Sequence, residues 1–171
     1  LDEGPSLASV YGNLALLHAK TGDFVSMERC LEEGERLVPA VIGRRQEFFL
    51  KHIRGLCLMS RGRYSGARLA LEEAIHLGRA LGDRHVVAFD EVYLAEVLIY
   101  LGAYAEAHRE LVRIGPSASG RPRSMALARQ AWLEALIGRP RDVRRLVAQH
   151  EASETAQHVT SLEAWERVYL G

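Results

Sequence analysis

Apolar positions along the chain keep the three-to-four-residue spacing of amphipathic helices, and short glycine-bearing breaks divide them into segments of similar length. The pattern predicts helices at about 5–21 and 24–38, 44–61 and 64–81, 84–101 and 104–114, and 124–137 and 140–152. A last helix is predicted at about 157–170, with Ser153 or Thr155 as its cap. Residues 115–123, GPSASGRPR, read as a loop, because two prolines, two glycines and three serine or alanine residues favour little else.

The segments repeat. HAKTGDF at 18–24, LMSRGRY at 58–64, IYLGAY at 99–104 and ALIGRP at 135–140 align on Gly22, Gly62, Gly102 and Gly138. The spacings are 40, 40 and 36 residues, and Gly171 follows 33 residues later. Seven residues before the glycine stand Ala15, Gly55, Ala95, Ala131 and, in the fifth copy, Ala164. Two after it stand Phe24, Tyr64, Tyr104 and Pro140; five after it, Met27, Ala67, Ala107 and Val143; nine after it, Leu31, Leu71, Leu111 and Val147.

Each column has a physical reason. The glycine ends one helix in the left-handed conformation that costs least without a Cβ. The small residues on either side let two antiparallel helices approach, and the aromatic wedges into the hairpin. The residue nine after the glycine sits on the inner stripe of the second helix. Each unit is therefore helix A, tight turn, helix B, and the units span about 5–41, 44–82, 84–114 and 124–152.

This small–Gly–aromatic–small register resembles the tetratricopeptide repeat (TPR), over about residues 8–171. Pro39 falls where that family often closes a unit. Units of 40 residues are longer than the usual 34, and the segment 71–107 is the most similar to the long-helix repeats of large bacterial regulators. The fourth unit departs from the pattern: Pro140 replaces the aromatic and His150 takes a small-residue position. The resemblance implies an all-α, right-handed superhelical solenoid of about four hairpins, forming a single domain over 1–171 and closed by a C-terminal A-type helix. That helix either caps the solenoid's last apolar face or marks a longer chain. The start at Leu1 without Met suggests a fragment of a larger protein.

Composition adds few constraints. The chain has 171 residues, 48% hydrophobic and 26% charged, with zero net charge. These values suit a globular domain with no global field toward nucleic acid or membrane. Lys20 and Lys51 are the only lysines, an arginine-rich usage that hints at a bacterial source. No apolar run approaches the roughly 18 residues of a membrane span and no leader pattern opens the chain, so a cytoplasmic location is the default expectation. Cys30 and Cys57 lie among apolar neighbours and read as reduced thiols rather than a disulfide. Between 109 and 145, nine arginines face three acids, whereas the first 50 residues carry eight acids and five bases. No aromatic interleaving supports nucleic-acid binding there, and the surplus reads as a solvated surface. The asymmetry would also suit head-to-tail self-contact.

In a repeat of this kind the A helices line the concave face. The residues nine, six and two before each glycine are Asn13, Leu16 and Lys20; Ile53, Leu56 and Ser60; Tyr93, Glu96 and Tyr100; and Arg129, Trp132 and Leu136. Phe49, His52, Phe89 and Val92 lie earlier on the same face. Leu56, Ile53 and Val92 suit packing against a neighbouring hairpin, whereas the polar atoms of Tyr93, Tyr100 and Trp132 suit a wet groove. The candidate groove is thus Asn13, Leu16, Phe49, His52, Leu56, Phe89, Tyr93, Glu96, Tyr100, Arg129 and Trp132, apolar and aromatic enough for an amphipathic helix or extended peptide. The Lys/Asn clamp with which some family members hold a peptide carboxylate is not assembled: Asn13 has Ile53 and Tyr93 as its counterparts.

The chain carries no H-E-x-x-H or C-x-x-C spacing, no phosphate-cradling glycine loop and no G-x-S-x-G elbow. No cofactor, metal site or enzymatic activity is expected. The expected role is a protein-interaction scaffold, the sensor or assembly arm of a larger bacterial regulatory protein. Self-association and small-ligand sensing are the alternatives.

Overall fold

A computed structural model describes residues 4–38 and 44–152. Among them are eight helices and no strand: α1 (Gly4–Thr21), α2 (Phe24–Arg36), α3 (Arg44–Ser60), α4 (Tyr64–Ala80), α5 (Arg84–Tyr100), α6 (Tyr104–Ser117), α7 (Gly120–Leu136) and α8 (140–152). The expected helix at 157–170 and Pro39 lie outside the described residues. Two compact units are present, Leu1–Ala103 and Tyr104–Gly171.

One turn recurs through both. Gly22, Gly62, Gly102 and Gly138 have φ of 78°, 74°, 74° and 77°. The amide after each glycine donates to the carbonyl five residues back, as in Asp23 to His18 at 3.0 Å and Arg63 to Leu58 at 2.8 Å. This double-bonded cap satisfies the carbonyls a helix end leaves open, and a Cβ would strain it. Gly82, between the second and third hairpins, has φ 73° and the same bond, Asp83 to Gly78 at 3.0 Å. Asp23 and Asp83 follow their glycines and cap the next helix, accepting from the amides of Ser26 and Val86 at 3.0 and 3.3 Å.

In the first unit α1 pairs with α2 and α3 with α4; α3 also packs on α1 and α2, and α5 on α4 and α3. The small-residue column lets this happen. A Cβ at Gly55 would lie 2.7 Å from Leu71, and one at Gly78 2.5 Å from Val87. Ala15, Ala19, Met27 and Leu31 of the first hairpin enclose Ile53 and Cys57 of α3. Ala67 and Leu71 of α4 enclose Val97 of α5. The aromatic after the turn reaches the next hairpin as well as its own: the Arg61 guanidinium lies 5.4 Å from the Phe24 ring, and Tyr64 stacks on Tyr100 at 4.5 Å and 7°. Glu35 and Glu28 of α2 add ion pairs to Arg54 of α3 and to Arg61 just after it, at 2.8 and 2.9 Å.

In the second unit α6 packs on α7. Two expectations need correction here. Residues 115–123 are not a loop: α6 runs through 117, Ala118 N–H closes its last turn on Ile114 at 2.9 Å, and α7 starts at Gly120. Pro122 sits in the first turn of α7, where a missing amide hydrogen leaves nothing unpaired. And Val147 is exposed, whereas Leu146, one residue earlier, is buried against Leu127 and Ala131. One residue is about 100° of helix rotation. The inner stripe of α8 is thus turned relative to α2, α4 and α6, in the unit where Pro140 displaces the aromatic.

Candidate functional site

Helices α1, α3 and α5 hold equivalent places in successive hairpins, and their N-terminal halves surround a pocket of about 290 Å³. Ser9 of α1 lines it, with Arg45, Gln46, Phe48 and Phe49 of α3, and Asp83 and Val86 at the start of α5. Phe48 is buried and forms the floor, whereas Phe49 is half-buried and also packs on the first hairpin's core. Arg45 reaches Asp83 at 3.3 Å across the rim, so the Asp83 carboxylate both caps α5 and holds a cation over an apolar cavity.

Beside the pocket lies the most unusual chemistry of the unit. Asp90 of α5 is completely buried, and His52 Nδ1 lies 2.5 Å from its Oδ1. Burial pushes the Asp90 carboxyl above the usual range; the His52 hydrogen bond pulls it partly back, and the negative neighbours Glu91 and Asp83 add to the rise. Its second oxygen, Oδ2, has no hydrogen-bond partner. With Asp90 ionised, Nδ1–H donates to it and the imidazole presents Nε2 as the remaining acceptor. The His52 ring lies 6.4 Å from the ring of Tyr93, one turn along α5. Glu91, next in the chain, is buried and pairs with Arg79 of α4 at 2.6 Å.

The sequence-derived groove residues fall into distinct environments. His52, Phe49, Leu56, Phe89, Tyr93 and Glu96 are half-buried on α3 and α5, with Phe89 edge-on to His85 at 5.1 Å. Leu16 is half-buried against the first hairpin's core. Asn13 is exposed. Tyr100 is half-exposed and stacked on Tyr64. Ile53 and Val92 are core residues. Arg129 and Trp132 are half-buried on α7, in the second unit. Sequence reasoning missed Asp90, Asp83, Arg45, Phe48 and Ser9. Asp90 had a legible signal: it stands forty residues after Leu50, where a core leucine is replaced by a carboxylate, and such a group needs a partner.

A larger depression of about 580 Å³ lies between α3 and α4, rimmed by Glu47, Glu72, Glu73 and His76. Lys51 and Arg68 neutralise Glu73 and Glu72 at 2.6 and 2.8 Å, which leaves it without a concentrated charge. Among the described residues no three His, Cys, Asp or Glu side chains gather as a metal site would require. Cys30 and Cys57 are free, and burial pushes the Cys57 thiol up to about 12, far from a reactive thiolate. A second histidine–carboxylate contact, His108 Nε2 to Glu134 at 3.1 Å, lies in the second unit. No described helix is long and apolar enough to cross a membrane.

No protein-family profile matches the chain, and no curated protein resembles it significantly in sequence.

Proposed function

We propose that the chain is a protein-interaction module of tetratricopeptide type, a right-handed stack of helical hairpins that holds a peptide segment on the shared face of α1, α3 and α5. The observation that carries this reading is the pocket floored by Phe48 and Phe49, with Arg45 and Asp83 on its rim. It continues into a half-buried row of Phe89, His52 and Tyr93. An apolar cavity with a few fixed polar groups suits one anchoring side chain of an amphipathic segment, and the aromatic row supplies area without the entropy of long chains. His52 then offers Nε2 to a donor on that segment. Such a module needs no cofactor. The sensor or assembly arm of a larger bacterial regulator, in the cytoplasm, is the setting that suits it.

The test is selection of binding peptides from a displayed library on the intact chain, followed by calorimetry. Selected peptides should carry an apolar anchor. They should lose at least about tenfold in affinity with Arg45→Glu and with Phe89→Ala. Selection that yields no binder, or binders indifferent to both substitutions, would sink the proposal.

A further inference from the structure

The pocket among α1, α3 and α5 has a charged mouth that its apolar interior does not call for. Arg44 and Arg45 open α3, and Arg84 opens α5 directly after Asp83. Arg45 and Asp83 line the pocket. Arg44 stands one turn before its floor residue Phe48, and Arg84 one turn before Val87, which meets Gly78 together with Phe48. All three arginines are exposed.

Little balances these cations. Asp83 is the one carboxylate in the pocket's lining, and it is already engaged: it accepts from the Val86 amide and from Arg45, both at 3.3 Å. Glu47 lines the separate depression between α3 and α4, Glu91 pairs with Arg79, and the first turn of α1, the third wall, holds no acid. Among the described residues Arg44 and Arg84 form no ion pair. Arg45 meets Asp83 through a single nitrogen, and its side chain is 77% exposed, so most of its donors are open. Arginine in the first turn also faces the positive end of its helix, where an anion is favoured instead. Two adjacent helix starts carrying three arginines therefore gain from an incoming anion, and the guanidinium fork fits a carboxylate.

We propose, on the basis of the peptide-binding role above, that the segment held here is acidic. One apolar side chain fills the cavity, and carboxylates on the residues flanking that anchor pair with Arg44, Arg45 and Arg84. Charge complementarity selects this occupant. A basic segment would meet three cations and one carboxylate that is already engaged. A polyanion such as a nucleic acid would leave the cavity over Phe48 and Phe49 unfilled.

Selection of short random peptides on the intact chain, with a parallel selection on the Arg44→Glu/Arg84→Glu double variant, tests this. The parent should return apolar anchors with acidic neighbours, and the variant should return anchors with neutral or basic neighbours. In a peptide selected on the parent, replacing the acidic residues by their amides should weaken binding at least about tenfold at low salt, and less at high salt. Both arginines are exposed, and circular dichroism checks that the variant folds; the parent selection decides alone if it does not. Apolar-anchored binders without acidic neighbours, or the same acidic binders from both selections, overturn the proposal and leave the peptide-binding role standing. A selection that returns no binder overturns both.

Discussion

α1 and α5 occupy the same place in the first and third hairpins, and their corresponding columns differ in burial. At the columns twelve and five before the glycine, α5 buries Asp90 and Val97 completely, and α1 leaves Val10 and Leu17 half-exposed. A carboxylate is inside and two aliphatic side chains are outside. Position in the stack, rather than the polarity of the residue, decides what is buried. The columns of α3 and α5 are covered by the hairpin packed against them, and among the described residues no helix covers those of α1.

The largest expected effect comes from breaking the buried side of this comparison. Val97→Asp places a second carboxylate beneath Ala67 and Leu71, in a cluster of apolar side chains. It should cost about 4 kcal/mol or more and unfold the first unit at ordinary temperature. Thermal melting with far-UV dichroism reads this directly. A cooperative transition within a few degrees of the parent would mean that α5 is not stacked on α4 as described.

Next in size is Asp90, the carboxylate the same face tolerates. Asp90→Ala removes the acceptor of His52 and leaves space behind it, at a cost of about 2 kcal/mol. Asp90→Asn keeps an acceptor for Nδ1–H and removes the buried charge, so it should cost less. The two variants also differ from the parent in pH dependence. The folded pKa of Asp90 is raised by burial and by Glu91 and Asp83, against the opposing pull of His52. Between the ordinary carboxylate value, about pH 4, and that raised value, the folded chain keeps a proton the unfolded chain has lost. Stability from this group is therefore present below about pH 4 and falls as pH rises through the folded pKa. Denaturant melts across that window should show the fall in the parent and a flatter profile in Asp90→Asn. Equal slopes in both would remove Asp90 as its source.

Much of this architecture was legible in the sequence. The glycine register located four turns and set seven of the eight described helices to within about three residues, because a left-handed cap and a close helix crossing each restrict the residue type. It placed α7 four residues late, since Pro122 and Gly120 read as loop formers and act at a helix start. It missed that Gly82 repeats the turn of Gly22, aspartate cap included. The site was less legible. His52 and Phe49 were singled out from their column, but Asp90 and Asp83 lie 38 residues beyond His52 and Arg45, and only packing brings the pairs together. Burial on α1 was unreadable for a different reason: a stripe of leucine and valine looks the same in sequence whether or not a neighbour covers it.

The smallest expected effect is on that open side, and it sharpens the comparison most. Leu17→Asp is the counterpart of Val97→Asp, with the same column, the same new charge and the same helix type. Leu17 gives up little buried area and its new carboxylate stays in water, next to His18 and one turn below Lys20 at a helix end. An anion near a helix C-terminus is mildly unfavourable, and the neighbouring cation offsets part of that. Measured in dilute solution, the change should lie within about 0.5 kcal/mol of the parent. A loss of several kcal/mol would show that α1 is covered by another part of its own chain, and the asymmetry between α1 and α5 would vanish. A near-zero value beside the collapse of Val97→Asp would establish that this column of α1 faces solvent while that of α5 is packed.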